Sequence, residues 1–328
     1  MQIAANDYSN DTLQATSRLL ARNPEYYTIW NHRRILLEHV FKRELTPDDD
    51  EPADAEAIAI ESNDVASAQH EVELLIKEDL QFLIPLLREY PKCYWIWNHR
   101  SWLLATATEH LPSQAALALW QGELALVSKM LSLDSRNFHG WGYRRKVVSE
   151  VERISDSSMV EAEFDYTTKM IQSNLSNFSA WHNRSRLMSR LLIEREANST
   201  DRRKLLDAEL ELITRALYTD PYDQSLWFYH QFLMSTLQPL GPALSILKPC
   251  TQEERARYLE QEIDSVREML DGAEDCKYIY QALLEYSTLH VSTRSKGLEA
   301  TKQERAEWLN ELKKIDPLRS ARWADLEQ

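Results

Sequence analysis

Apolar residues recur at helical spacing in a series of segments along the chain, among them "LQFLIPLLREY", "LALVSKMLSLD", "EFDYTTKMIQS", "LELITRALYTD" and "EWLNELKKIDP". Each reads as an amphipathic helix. A short polar stretch follows each one, and then a segment with a tryptophan near its start. These second segments are near copies: "NPEYYTIWNHRR" from Asn23, "YPKCYWIWNHRS" from Tyr90, "DSRNFHGWGYRR" around Trp141, "NLSNFSAWHNRS" around Trp181, "DPYDQSLWFYHQ" around Trp227 and a faint "DPLRSARWADL" around Trp323. The pattern therefore predicts a repeated helix pair, the first helix ending just before each motif and the motif opening the second.

The tryptophans at 30, 97, 141, 181 and 227 are 67, 44, 40 and 46 residues apart. After one insertion the period is 40 to 46, and the interval from Trp227 to Trp323 has room for a degenerate unit at "CKYIYQALLEY" from Cys276. About seven units result, in an all-α single domain over residues 1–328, because units of this size bury their apolar faces only by stacking on neighbours. Tetratricopeptide units are too short for this period. HEAT or armadillo units fit the length but do not account for Trp followed three residues later by Arg, in Trp30/Arg33, Trp97/Arg100, Trp141/Arg144 and Trp181/Arg184. Three apart on a helix is one face. The expectation is structural: indoles, including Trp227, fill the core, and each guanidinium stacks on its indole or bonds carbonyls at a neighbouring turn. Asn23-Pro24, Asp220-Pro221 and Asp316-Pro317 are expected as an N-cap followed by proline at the first helical position, with Asp134 capping without proline.

Two segments depart from the period. Residues 44–64 hold nine acidic and no basic side chains and read as a solvated, mobile insertion. "LQPLGPALSILKP" from Leu237 lacks a helical period and reads as an ordered loop with apolar contacts.

Composition narrows the function classes. Six glycines in 328 residues leave little for a phosphate-cradling glycine loop. A net charge of −14 opposes nucleic acid and acidic membrane surfaces. Cys93, Cys250 and Cys276 are odd in number and far apart, as in a reducing compartment. No stretch has the length and apolarity of a membrane span, and the first residues lack a basic start and apolar region. A cytoplasmic protein without membrane insertion is expected.

Nine histidines and three cysteines show no metal-ligand spacing, so no metal is expected within the chain. The informative position lies five residues before each motif tryptophan, in what the pattern predicts is the first turn of the second helix. Successive copies carry Glu25, Lys92, Arg136, Ser176 and Tyr222. A cation there opposes the helix dipole. Lys92 and Arg136, with the aromatics Tyr94 and Phe138, are thus the candidate edge for a phosphate-bearing ligand. Two solvated side chains are the competing reading.

A helix-pair period near 44 with N-(Y/F)-x-x-W-x-x-R opening each second helix resembles the protein prenyltransferase α-subunit repeat, over essentially the whole chain. "DSRNFHGWGYRR", "NFSAWHNRS", "DPYDQSLWFYHQFL" and "CKYIYQALLEY" are most similar to the type II, Rab geranylgeranyltransferase, branch. The resemblance implies a right-handed superhelix of helical hairpins wrapped around a β subunit that holds zinc and most of the lipid pocket. It implies transfer of geranylgeranyl from its diphosphate to C-terminal cysteines of Rab GTPases presented by an escort protein. Lys92, and less strongly Arg136, would then stabilise the diphosphate leaving group. The α subunit shared by farnesyltransferase and type I geranylgeranyltransferase is the alternative within the family, with Lys and Tyr where this chain has Arg136 and Phe138. A non-enzymatic helical scaffold is the alternative outside it. The opening "MQIAANDYSNDTLQATSRLL" departs from the family, whose members usually have another helix before the first motif.

Overall fold

The structure, a computed structural model, describes residues 7–46, 57–237, 245–293 and 298–325. Helices follow in pairs: α1 (Asn10–Arg22) with α2 (Tyr27–Leu45), α3 (Ala57–Glu89) with α4 (Tyr94–His110), and α5 (Ser113–Leu133) with α6 (Phe138–Ser155). Then come α7 (Val160–Ser173) with α8 (Phe178–Glu194), α9 (Ser199–Thr219) with α10 (Gln224–Ser235), and α11 (Gln252–Glu268) with α12 (Lys277–Thr293). The last pair is α13 (Leu298–Ile315) with the five-residue α14 (Ser320–Ala324), joined through a 3-10 turn at Pro317–Arg319. The all-α hairpin class predicted from the period holds, and no strand occurs among the described residues. The chain divides into two compact units, Met1–Met159 and Val160–Gln328. The first holds three hairpins and the second four.

The motif tryptophans do what the spacing predicts. Trp30, Trp97, Trp141, Trp181 and Trp227 are all buried. Each indole N–H donates to the carbonyl six residues back, at Pro24 (2.7 Å), Pro91 (2.9 Å), Ser135 (2.9 Å), Leu175 (2.8 Å) and Pro221 (2.7 Å). A buried indole needs such a partner, and here it pins the turn before its own helix. In the degenerate sixth hairpin Tyr280 takes the indole's place, its buried ring anchored by the hydroxyl donating to the Glu274 carbonyl (2.8 Å). Trp323 closes the series on the Asp316 carbonyl (3.2 Å).

Four sequence expectations change. Asn23, Asp134 and Asp220 are not N-caps but the residues that end α1, α5 and α9. Asn23 and Asp220 instead accept the amide two residues on, from Glu25 and Tyr222 (both 3.1 Å), as Asx turns do, while Pro24 and Pro221 occupy the turn. The N-caps lie further on, at Tyr26, Asn137 and Asp223. Asp316 holds the N-cap position of the 3-10 turn that Pro317 opens, but its side chain makes no capping hydrogen bond.

The acidic segment is shorter than its charge suggests. Residues 44–45 end α2 and residues 57–64 are the opening turns of α3, while the rest of the expected insertion, residues 47–56, lies outside the described residues. Alanines and isoleucines at 57–60 supply helix-forming and apolar positions that the acid count obscured. In the 237–249 loop, Leu237, Ile246 and Leu247 are buried, and residues 238–244 lie outside the described residues. The other two changes concern the motif arginines and the cationic position, which belong to the site.

Candidate functional site

Arg33, Arg100 and Arg184 turn to carboxylates rather than to their indoles. Arg33 Nε donates to Asp79 Oδ1 (2.9 Å), Arg100 Nε to Glu123 Oε2 (2.9 Å), and Arg184 through Nε and Nη2 to Glu209 (2.7 and 2.6 Å). All six side chains are buried. A planar fork fits a carboxylate with two N–H groups, and a buried guanidinium without an acid is costly, so the edges go to acids while Arg33 and Arg184 lay their faces on Phe82 (4.6 Å) and Phe164 (3.7 Å). The expected carbonyl bonds are present, but to residues inside the preceding helix rather than to a turn: Arg33 to Leu13 (3.2 Å), Arg100 to Leu80 (2.8 Å) and Arg184 to Phe164 (3.3 Å). Each arginine thus joins the first helix of its own hairpin to the first helix of the next. Arg144 donates to Ser128 Oγ (2.7 Å).

The receiving acid is held from a second side. His99 meets Asp79 (2.7 Å), Tyr143 donates to Glu123 (2.6 Å) and Tyr229 donates to Glu209 (2.6 Å). Every one of these partners sits two residues after a motif tryptophan. The acids lie eighteen residues before one: Asp79 before Trp97, Glu123 before Trp141, Glu209 before Trp227, with Glu163 before Trp181 and Glu262 before Tyr280 at the same offset. Sequence reasoning missed them because they were sought as catalytic groups among 52 acids. The repeated offset was the signal that could have found them.

Burial pushes the Asp79 carboxyl up, but the bonds and charges of His99 and Arg33 outweigh it and hold the pKa below the ordinary value. For His99 burial wins over Asp79 and the pKa falls, so the ring is neutral at pH 7. Its Nδ1 accepts from Arg34 Nε (3.4 Å), which leaves the proton on Nε2, facing the acid. Burial, with the facing carboxylates, drives the Tyr143 and Tyr229 hydroxyls well above the ordinary phenol value. This network is a largely buried structural frame, with Arg33 and Asp79 at the wall of a cavity between α1, α2 and α3.

The candidate edge lies at the hairpin turns that the frame holds. Lys92 and Arg136 are not in the first helical turn as expected. They directly precede the N-caps, Cys93 of α4 and Asn137 of α6, because the helix starts lie three residues beyond the caps expected at Asn23, Asp134 and Asp220. The structure nonetheless brings their turns together. Asn137 Nδ2 donates to the Pro91 carbonyl (2.9 Å), a bond between the residue before Lys92 and the residue after Arg136. Lys92 also approaches the Asp134 carboxylate (3.8 Å), an exposed and weak pair.

Beside these cations an aromatic line crosses α2, α4 and α6. Ring centroids run from Tyr27 to Trp95 (5.6 Å), Trp95 to Tyr94 (5.2 Å), Tyr94 to His139 (6.1 Å) and His139 to Phe138 (5.7 Å). Tyr94 is 49% and Phe138 77% exposed, and neighbouring exposed aromatics of this kind mark an interaction surface. The Tyr94 hydroxyl accepts from Asn98 Nδ2 (3.1 Å), which leaves its own proton free for an anion.

Cys93 and Cys276 are structural. Their thiols donate to the Pro24 and Pro221 carbonyls (3.4 and 3.1 Å), and burial raises both pKa values. Among the described residues no three of His, Cys, Asp and Glu gather as metal ligands, and no helix is long and apolar enough to cross a membrane.

The chain matches the protein prenyltransferase alpha subunit repeat at residues 9–40, 76–107, 120–151, 160–191 and 206–237. It is 35% identical to the geranylgeranyl transferase type-2 subunit alpha of Schizosaccharomyces pombe, over 98% of this chain and 86% of that protein. It is 39% identical to the subunit of the same name from Saccharomyces cerevisiae, over 68% of this chain but only 58% of that relative, less than two thirds of its length. The solved Candida albicans protein geranylgeranyltransferase-I complexed with GGPP shares the fold, with a TM-score of 0.61, 19% identity, and coverage of 99% of this chain and 86% of that one.

Proposed function

The chain belongs to the protein prenyltransferase alpha subunit family, and from that premise we propose that it is the α subunit of a heterodimeric type II geranylgeranyltransferase. The observation that carries the reading is the similarity, along nearly the whole chain, to a type-2 α subunit. In this reading a β subunit docks on the exposed aromatic line, and geranylgeranyl diphosphate binds at the junction of the two. The acceptors are C-terminal cysteines of Rab GTPases brought by an escort protein. The subunit works in the cytoplasm and is inactive alone.

The reaction forms a bond from the acceptor cysteine sulfur to C1 of the isoprenoid and breaks the bond from C1 to the diphosphate oxygen. Negative charge grows on the leaving diphosphate. Lys92 donates to it, and a cation poised where charge develops lowers the barrier most when water is excluded. Arg136 acts in the same direction, more weakly. Tyr94 adds its free hydroxyl proton, whereas Phe138 offers only apolar contact.

The resemblance implies zinc for the enzyme. Cys93 and Cys276 spend their thiols on carbonyls, and no three donor side chains gather among the described residues. The reading therefore assigns the metal to the β subunit and confines this chain to the leaving group.

Co-purification with a β-type subunit, followed by transfer assays on a Rab protein with escort and on a short C-terminal C-a-a-X peptide, tests the reading. Transfer to the Rab protein alone is expected. Transfer to the peptide would make the chain a farnesyl or type I subunit, and failure to hold any β subunit would make it a scaffold. Within the heterodimer, Lys92→Ala is expected to slow single-turnover transfer roughly ten- to a thousandfold, with Arg136→Ala milder.

A further inference from the structure

We infer that Asn137 is a positioning residue that fixes the spacing of Lys92 and Arg136 by clipping together the two turns that carry them. The inference rests on the reading of this edge as the diphosphate site. Asn137 is 3% exposed and committed at both ends of its amide. Its oxygen accepts from the Gly140 amide (3.0 Å), capping α6, and its nitrogen donates to the Pro91 carbonyl (2.9 Å) in the turn before α4.

Other junctions within the two units use a poorer clip at the same place. Cys93 reaches the Pro24 carbonyl at 3.4 Å and Cys276 reaches the Pro221 carbonyl at 3.1 Å, each through a thiol, a weak donor. The junction flanked by two cations thus carries an amide where those two carry sulfur. The Pro91 carbonyl also accepts from the Trp97 indole (2.9 Å), so it keeps a partner when Asn137 is changed. Loss of the amide nitrogen therefore relaxes the distance between the turns while each hairpin stays packed. A misplacement near 1 Å of a group that must meet a developing charge is enough to slow a reaction severely.

Asn137→Ser separates the two duties of the side chain. Serine is as good an N-cap as asparagine but is too short to reach Pro91. In the heterodimer with the β subunit, this variant is expected to melt within a few degrees of the parent and to slow single-turnover transfer about 3- to 30-fold. Combined with Lys92→Ala, it is expected to add less than it costs alone, since only the weaker Arg136 is left for it to position. A parent-like rate in Asn137→Ser beside a slow Lys92→Ala overturns the positioning role and leaves the edge reading intact. So does a combined loss equal to the product of the two single losses. A parent-like rate in Lys92→Ala overturns the edge reading itself, and the inference with it. If the serine variant does not assemble, Asn137→Asp keeps the cap acceptor and removes the donor. Failure of that variant to assemble as well would show Asn137 to be structural only.

Discussion

In the N-terminal unit the place eighteen residues before the motif aromatic holds Asp79 and Glu123, each gripped by an arginine from the hairpin before and by His99 or Tyr143 from its own. At the end of the C-terminal unit the same place, before Trp323, holds Arg305. The hairpin before it has Leu283 where the motif arginine would be, so no guanidinium arrives and no acid is required. Arg305 reaches backwards instead, donating to the Leu284 carbonyl (2.8 Å), Ser287 Oγ (2.6 Å) and Thr288 Oγ1 (2.8 Å). Arg33 and Arg184 meet the same set, one carbonyl and two hydroxyls. Between these extremes His230 stands in for arginine, facing Glu262 (2.9 Å) with its other nitrogen on Tyr286 (2.6 Å). What the fold requires at this place is a saturated polar bridge across helices. The residue types change as long as donors and acceptors still match.

The comparison breaks first where the bridge is fully buried. Glu123→Ala strands the Arg100 guanidinium and the Tyr143 hydroxyl, and is expected to cost about 3–5 kcal/mol, read as a lower denaturant midpoint. Trp141→Ala, which leaves a cavity in the same unit, is expected to cost about the same. A loss under about 1 kcal/mol in either variant would mean that water or a rearranged neighbour takes the place of what was removed.

Acid sharpens the contrast, because His99 is the one member of these bridges that stands where Tyr143 and Tyr229 stand elsewhere. Both His99 and Asp79 have folded pKa values below their unfolded ones. The unfolded chain therefore binds protons more readily, and stability is lost as pH falls. The His99 contribution is complete above its unfolded value of 6.5 and fades below it, and that of Asp79 fades only below 3.8. Denaturant midpoints measured from pH 7.5 to 3 should fall in two stages. In His99→Gln the earlier stage should vanish, and its persistence would place the titrating group elsewhere.

Much of this arrangement was legible before any coordinates. Recurring tryptophans at a period of 40 to 46 located the hairpins, and the degenerate unit was placed at the segment from Cys276, where Tyr280, a ring with a polar tip six residues past a turn carbonyl, does the work of an indole. The carboxylates were hidden because one acid on an amphipathic helix looks like any solvated acid unless the offset is compared across repeats. Asn-Pro and Asp-Pro misled for a different reason: the side chains that cap a helix start also close an Asx turn at a helix end, and the dipeptide does not distinguish them. His32 shows the limit of repetition. It occupies the place of His99, but eighteen residues before Trp30 stands Thr12, not an acid, and its buried Nε2 has no hydrogen-bond partner.

A smaller effect is expected at the reversed end. Arg305 is only partly buried and its three receptors can turn to water, so Arg305→Ala should cost about 1 kcal/mol in the same denaturation experiment. A loss as large as that of Glu123→Ala would make the last hairpin as dependent on its polar bridge as the regular ones.

The smallest expected effect on stability tests what the bridges are for. Removing one partner of a buried ion pair is costly, but replacing all of them with apolar groups of similar volume is often neutral, since desolvation offsets most of the attraction. Arg100→Met, Glu123→Leu and Tyr143→Phe made together should therefore leave stability within about 1 kcal/mol of the parent. The three side chains come from α4, α5 and α6, the helices whose turns carry Lys92 and Arg136. Apolar contact is indifferent to small sliding of one helix on another, whereas a bidentate guanidinium on a carboxylate fixes both distance and angle. In the heterodimer the triple variant should therefore keep its melting temperature and lose transfer rate by several fold. Equal stability with an undiminished rate would show that the buried bridges set no register that the edge depends on, and that tryptophan packing alone holds the two turns in place.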